Sequence, residues 1–177
     1  MDLLLEWSKD LPEHVGVYIV GGTPPAEYQE ICEKYRLQNV HFLDFMPKDR
    51  LMRLMTAMDL FALFTREDIW GLVINEAMAA GLPVISTDRC IAALELIPGR
   101  GTCENGKADA DAGMIVENEN LGQMKEALLT LIQSPELREK LSENAIHRIQ
   151  SYTIETMAAE HDRIFQKLSA ERRERRN

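Results

Sequence analysis

The stretch from Arg66 to Thr87, REDIWGLVINEAMAAGLPVIST, restricts the fold more than any other part of the sequence. A polar loop ends at Asp68, a helix-like run follows and closes at Gly81, and a short β-branched strand begins at Val84. A loop, a helix and a strand joined this tightly are typical of a doubly wound α/β unit. Ligands of such units bind where the loop leads into the helix.

The residues at this corner suit a ligand that carries both phosphates and sugars. If the helix begins near Trp70, the amides of residues 71–73 point out of its positive end and suit an anion. Gly71 lets a ligand approach the backbone, because it has no Cβ. The carboxylates of Asp68 and Glu76 are suited instead to accept hydrogen bonds from hydroxyl groups.

The rest of the chain alternates between short apolar strands and amphipathic helices, which predicts a parallel sheet with right-handed crossovers and helices on both faces. We expect the strand at residues 60–64 to be central, because it is short and entirely apolar. The predicted strands are residues 15–20, 40–45, 60–64, 84–87 and 113–116, and the other predicted helices are residues 3–7, 26–35, 48–58, 121–132, 135–149 and 153–168.

The window around Glu76 resembles the signature of the family 4 retaining glycosyltransferases, which have the GT-B fold. In that family a Glu, seven residues and a second Glu precede Ala-Met-Ala, a Gly-Pro pair and a strand. Glu76 matches the second acid, and Asp68 stands where the first acid is expected, with Glu67 beside it as a substitute. The resemblance covers nearly the whole chain and implies a single Rossmann-like domain that binds a nucleotide sugar.

The resemblance also implies roles for individual residues. Asp68 would lie near the hydroxyls of the donor sugar, Glu76 near the ribose hydroxyls, and the backbone of residues 70–72 near the diphosphate. The loop after the strand at residues 40–45 would cradle the nucleotide base through backbone groups. The implied catalytic residues are Asp68 and Glu76, and the implied donor-binding residues are Gly22, Phe45, Met46, Arg66, Glu67, Ile69, Trp70, Gly71 and Leu72.

Several of these residues also have a purely structural interpretation. Asp68 is a preferred helix N-cap residue, Trp70 favours packing over catalysis, and Phe45 is equally consistent with a core aromatic at the end of a strand. Glu76 is harder to explain structurally, because a carboxylate beside a buried helix face needs a partner. The spacing predicts that this face consists of Leu72, Val73, Ala77 and Ala80.

No metal or disulfide is expected. Asp109 and Asp111 superficially resemble the DxD motif of the other large glycosyltransferase class, but they lie in a polar loop, so we interpret them as solvated. The three cysteines, Cys32, Cys90 and Cys103, are odd in number and lack CxxC spacing. They are typical of reduced thiols in a cytoplasmic protein.

Composition narrows the function further. The 177 residues predict one domain, and the net charge of −9 argues against a nucleic-acid partner. The sequence has neither an apolar run long enough to span a membrane nor a secretory signal.

Residues 153–177 form a final helix with a basic, mixed-sign tail, which we interpret as a frayed terminus. The alternative for this tail is peripheral contact with the inner face of a membrane.

Parts of the resembling family have no counterpart in this sequence. Its members have an N-terminal domain that holds the acceptor, and an Arg and a Lys at the first strand of the second domain neutralise the diphosphate. Arg66 is the only cation in the signature, residues 66–87. We therefore expect an isolated donor half whose first strand would precede Met1. Because that strand is central in the order 3-2-1-4-5-6, its loss would expose two sheet edges and invite self-association.

Two functions are compatible with these features. The first is the donor half of a retaining hexosyltransferase that takes a sugar from a nucleotide diphosphate sugar to a saccharide or lipid-linked acceptor, without a metal. The second is a non-catalytic nucleotide-binding module, or one chain of a two-chain transferase. An upstream reading frame that encodes an acceptor domain would favour the enzyme or the split enzyme.

Overall fold

A computed structural model describes residues 2–97 and 112–174 of the chain. Helices and strands alternate through this part of the chain as far as the fifth strand, and three helices follow. In chain order the elements are α1 (Asp2–Ser8), β1 (Val17–Val20), α2 (Ala26–Tyr35), β2 (Val40–Leu43), α3 (Lys48–Met55), β3 (Phe61–Leu63), α4 (Leu72–Ala79), β4 (Val84–Thr87), α5 (Ile91–Leu96), β5 (Gly113–Val116), α6 (Leu121–Gln133), α7 (Pro135–Ile149) and α8 (Ile154–Glu174). The predicted α/β class is confirmed.

The strands form two parallel sheets. β1 pairs with β2, in register from Val17 and Val40 to Val20 and Leu43. The second sheet has the order β3-β4-β5. The predicted parallel pairing is confirmed, but the expectation that residues 60–64 form a central strand is wrong for the described part of the chain. There β3 pairs with β4 alone, so β4 is the central strand.

Apolar clusters cover both faces of the β3-β4-β5 sheet. Val84 packs with α4 and α5 on one face, and the next residue, Ile85, packs with α6 and α7 on the other, since successive strand side chains point to opposite faces. Trp7 of α1 belongs to the second cluster, and α1 also packs against α2. α1 therefore connects the two sheets, and helices flank the sheet on both faces as predicted.

α8 extends beyond its predicted end and is solvent-exposed along nearly all of its described length. Its large exposed apolar side chains are Ile154, Met157, Ile164, Phe165 and Leu168. Within residues 2–97 and 112–174, no helix combines the length and the apolar character that crossing a membrane requires. Asp109, Asp111 and Cys103 lie outside the described residues.

Candidate functional site

The candidate residues lie in the loops that follow β1, β2 and β3. Parallel strands direct their carboxyl ends, and the loops after them, to one edge of a sheet. One contact joins the loops after β1 and β2, because a Cβ added to Gly22 would lie 3.3 Å from the ring of Phe45. A second contact joins the helices that follow β2 and β3, because the Nζ of Lys48 in α3 lies 3.7 Å from a carboxylate oxygen of Glu76 in α4.

The loop that carries Asp68 is fixed by backbone hydrogen bonds to the segment after β4. The amide of Asp68 donates to the carbonyl of Arg89 at 3.0 Å, and the carbonyl of Asp68 accepts from the amide of Ile91 at 3.5 Å. Asp68 thereby forms a parallel bridge with Cys90. The position of Asp68 is set by its main chain, which leaves its carboxylate for other contacts.

Gly71 forms the sharp corner between this loop and α4. Its φ of 82° and ψ of 61° lie in the left-handed region, where residues with a Cβ are strained. An added Cβ would lie 2.6 Å from the sulfur of Cys90, which is fully buried. The Cys90 thiol in turn donates to the carbonyl of Trp70 at 3.3 Å. Both the backbone conformation and the packing therefore require glycine at this corner.

α4 begins at Leu72, so the helix starts near Trp70 as expected. The amide of Trp70 donates to the Oδ1 of Asp68 at 3.1 Å and is not available to an anion. The amides of Leu72 and Val73 precede the first hydrogen bond of the helix and point out of its N-terminus. The cap of α4 is Gly71, without a side-chain hydrogen bond, so the interpretation of Asp68 as a helix cap is wrong.

The buried side of α4 is rotated from the predicted one. Ile74, Ala77 and Met78 are buried, whereas Leu72 is 69% exposed. Leu72 lies two residues before Ile74, which is about 200° around the helix axis. The predicted burial of Leu72 is therefore wrong, that of Ala77 is confirmed, and Val73 and Ala80 are half-buried.

Glu76 points from α4 toward the start of α3. Its side chain is 30% exposed, and the ammonium group of Lys48 is its partner. The prediction that this carboxylate needs a partner is confirmed. Because the 3.7 Å separation exceeds hydrogen-bond length, the oxygens of Glu76 retain lone pairs that can accept from hydroxyl groups.

Arg66 and Glu67 lie at the exposed start of the same loop. The Nε of Arg66 donates to the Oε1 of Glu119 at 2.8 Å, which links the loop to the segment after β5. The hydroxyl of Thr65 donates to the carbonyl of Glu67 at 2.9 Å. Glu67 precedes Asp68 in the chain, whereas Glu76 follows it. The side chain of Glu67 is exposed.

Three apolar side chains are exposed around this site, namely Phe45 at 83%, Ile69 at 84% and Leu72 at 69%. The interpretation of Phe45 as a core aromatic is therefore wrong. Trp70 is half-buried against the apolar cluster around Val84, and its Nε1 donates to the Oδ1 of Asn75 at 3.1 Å. The interpretation of Trp70 as a packing residue is confirmed, and Met46 is half-buried.

Sequence reasoning missed two residues of this site. Lys48 could have been found, because it is a cation directly after the Pro that follows a strand end. Cys90 could not, because only its packing under Gly71 reveals it. Within the part of the chain that the structure describes, no three His, Cys, Asp or Glu side chains are grouped so that they could hold a metal ion.

The comparison with family models decides the family. Residues 1–148 match the model described as glycosyl transferases group 1. The chain belongs to this family. In this group 1 glycosyl transferase chain, the acidic residues and the N-terminus of α4 lie at the carboxyl end of β3.

Curated relatives are longer than this chain. The lipopolysaccharide glucosyltransferase WaaG of Escherichia coli K12 is 30% identical over 153 residues, which cover 83% of this chain and 37% of WaaG. A D-inositol 3-phosphate glycosyltransferase of Corynebacterium glutamicum is 25% identical over 160 residues, covering 87% of this chain and 36% of that protein. The chain therefore spans little more than a third of the length of these relatives.

Solved GT-B glycosyltransferases share the fold. Sucrose-phosphate synthase from Thermosynechococcus elongatus matches with a TM-score of 0.77 and 22% identity, over 96% of this chain and 42% of that one. WaaG matches with a TM-score of 0.70 and 28% identity, over 85% of this chain and 39% of the WaaG chain. Anabaena HepE, solved in complex with UDP and glucose, matches with a TM-score of 0.75 and 22% identity, over 96% of this chain and 44% of the HepE chain.

Proposed function

We propose that this chain is the donor-binding half of a family 4 retaining glycosyltransferase. Its substrate is a nucleotide diphosphate sugar, and it transfers a hexose to a saccharide or lipid-linked acceptor. The observation that carries this proposal is the corner between β3 and α4. There the carboxylates of Asp68 and Glu76 flank helix amides at Leu72 and Val73. The comparisons support a nucleotide-sugar glycosyltransferase, since HepE was solved with UDP and glucose.

Each group at the corner suits one part of the donor. The amides of Leu72 and Val73 face the diphosphate, because a helix N-terminus attracts negative charge. Glu76 accepts hydrogen bonds from the ribose hydroxyls, and Asp68 accepts them from the sugar. Phe45 lies beside Gly22, and the backbone groups of Phe45 and Met46 hold the base. In this arrangement preorganised amides stabilise the leaving diphosphate without a metal.

The complete reaction needs a second half that holds the acceptor. We propose a Rossmann-like acceptor-binding half, as in the resembling family, and an Arg and a Lys at the first strand of the donor-binding domain that neutralise the diphosphate. The reaction takes place in the cytoplasm, and contact with a membrane is peripheral. Among the residues described, Arg66 is the cation in the loop before Gly71, and it is held by Glu119.

Replacing Glu76 by alanine tests the assignment of the two carboxylates. We expect Glu76→Ala to weaken nucleotide-sugar binding about tenfold or more, because a hydrogen bond to a charged group contributes about 1.5–3 kcal/mol. Calorimetric titration with UDP-, GDP- and ADP-sugars measures this change and identifies the base.

Glu67→Ala is the matched control, since it removes a carboxylate from the same edge that is exposed and lies outside the proposed contacts. Its affinity should stay within about twofold of wild type, as expected for an exposed charge without a specific contact. Equal losses in the two variants would show that Glu76 does not contact the ribose.

A further inference from the structure

Lys48 occupies a position that does not favour a cation on structural grounds. It is the first residue of α3 and directly follows Pro47, the N-cap of that helix. The N-terminus of a helix carries a partial positive charge, so a cation in the first turn opposes the helix dipole, whereas the acid at Asp49 complements it. The stability of α3 therefore does not explain a lysine at its first position.

The ion pair between Lys48 and Glu76 does not explain the lysine either. The Nζ of Lys48 lies 3.7 Å from the Oε1 of Glu76, and the side chain of Lys48 is 75% exposed. Exposed ion pairs contribute little to stability, because water weakens the attraction and holding a long side chain in one geometry costs entropy. The separation also exceeds the length of a direct hydrogen bond. The two groups face each other without bonding directly.

The separation of these two groups suits one hydroxyl group. A hydroxyl has one hydrogen to donate and two lone pairs that accept, whereas an ionised carboxylate only accepts and an ammonium group only donates. A hydroxyl can therefore donate to Glu76 and accept from Lys48, and both hydrogen bonds are charge-assisted. Its oxygen can lie about 2.8 Å from both atoms at once, because those atoms are only 3.7 Å apart.

The pair lies between the proposed positions of the base and the diphosphate. Lys48 stands three residues after Phe45, in the segment that follows β2 and carries the proposed base position. Glu76 lies on α4 four residues after Leu72, which is about 6 Å along the helix axis and on the same face. In a nucleotide the ribose is the group that connects the base to the phosphates. A hydroxyl between Lys48 and Glu76 is therefore at the place of the ribose.

We infer that Lys48 is a further donor-binding residue, and that Lys48 and Glu76 together hold one hydroxyl of the donor ribose. This inference rests on the proposed function for the position of the nucleotide. It assigns recognition of the ribose to two opposite charges on α3 and α4 rather than to Glu76 alone. A donor without that hydroxyl leaves both charges without a ligand, so the pair selects ribonucleotide donors over deoxyribonucleotide donors.

Calorimetric titration of the full chain with ribonucleotide and deoxyribonucleotide donors tests this inference. The probes are UDP-, GDP- and ADP-glucose, each with its 2′-deoxy and 3′-deoxy analogue, because ribose is common to all three. We expect the wild-type chain to bind the ribose form about tenfold more tightly than at least one deoxy analogue. Lys48→Met should weaken binding of the ribose form about fivefold or more and bring these two affinities within about twofold of each other.

Two variants separate a contact with the hydroxyl from a general change of charge. Lys48→Arg keeps a cationic donor and should recover part of the preference for ribose. Arg50→Met removes an exposed cation of the same helix, about 200° around the axis from Lys48. It should leave each affinity within about twofold of wild type. An equal loss in Arg50→Met and Lys48→Met would overturn the inference, because net charge would then explain both.

The remaining outcomes distinguish this inference from the proposed function. If the ion pair has no role in binding, Lys48→Met leaves the affinity unchanged or raises it, because Glu76 loses a competing partner. Either result overturns the inference. If Glu76→Ala abolishes the preference for ribose and Lys48→Met retains it, the inference is wrong and the proposed function stands. If no nucleotide sugar binds saturably, the proposed function is wrong and the inference with it.

Discussion

Replacing Gly71 by alanine is expected to reduce the affinity for a nucleotide diphosphate sugar by about 100-fold or more. The left-handed backbone at Gly71 costs an L-residue about 1–2 kcal/mol, and the added Cβ would lie 2.6 Å from the sulfur of Cys90. Relief of this overlap must displace the corner, and with it the amides of Leu72 and Val73. Calorimetric titration with the preferred nucleotide sugar measures the loss.

Two variants control for this effect. Gly122→Ala adds a Cβ that meets Asn120 at 3.4 Å, an ordinary contact, and should leave the affinity unchanged. In the Gly71→Ala background, Cys90→Ala removes the overlapping sulfur and should recover part of the affinity, while the backbone strain remains. Wild-type affinity in Gly71→Ala would contradict the placement of the diphosphate at this corner.

The second prediction with a large expected effect concerns the sugar-transfer activity of the chain. The purified chain of 177 residues is expected to show no measurable sugar transfer, although it binds the donor weakly. Positioning of two reactants can supply about 7–11 kcal/mol of a barrier, and the described residues hold only the donor. Loss of one preorganised hydrogen-bond donor to the leaving group typically lowers the rate by about 100- to 1000-fold. The Arg and the Lys that the resembling family has at the first strand of its donor domain are further groups of this kind.

A transfer assay with a radiolabelled nucleotide sugar measures this effect, with and without a co-expressed acceptor-binding half. Activity should appear only with both halves, and Glu76→Ala in the complemented enzyme should reduce it. Robust transfer by the chain alone would contradict the proposal that it is a donor half.

The sequence predicted the parts of the site that depend on local pattern. The position of Glu76 on α4 and its need for a partner followed from one carboxylate in an apolar helix. The alternation of strands and helices predicted the parallel sheet, because period and length differ between the two kinds of element. Packing of Trp70 was also predicted, in preference to a catalytic role.

The remaining features depend on contacts between distant elements. The start of α4 at Leu72 follows from the left-handed Gly71, which is held by Cys90 from the segment after β4. The exposed ring of Phe45 rests near Gly22, which belongs to a different loop. The edge position of β3 depends on which strands are present beside it, and no local pattern encodes that.

The most direct test of the donor site is an NMR titration of the full chain with the nucleotide sugar that binds most tightly in calorimetry. A saturable shift is expected at the amides of Leu72 and Val73, which face the proposed diphosphate, with smaller shifts at Phe45 and Glu76. The bare nucleoside should shift Phe45 but not Leu72 or Val73. Saturable binding that leaves these two amides unchanged, or no saturable binding of any nucleotide sugar, would contradict the donor site at the N-terminus of α4.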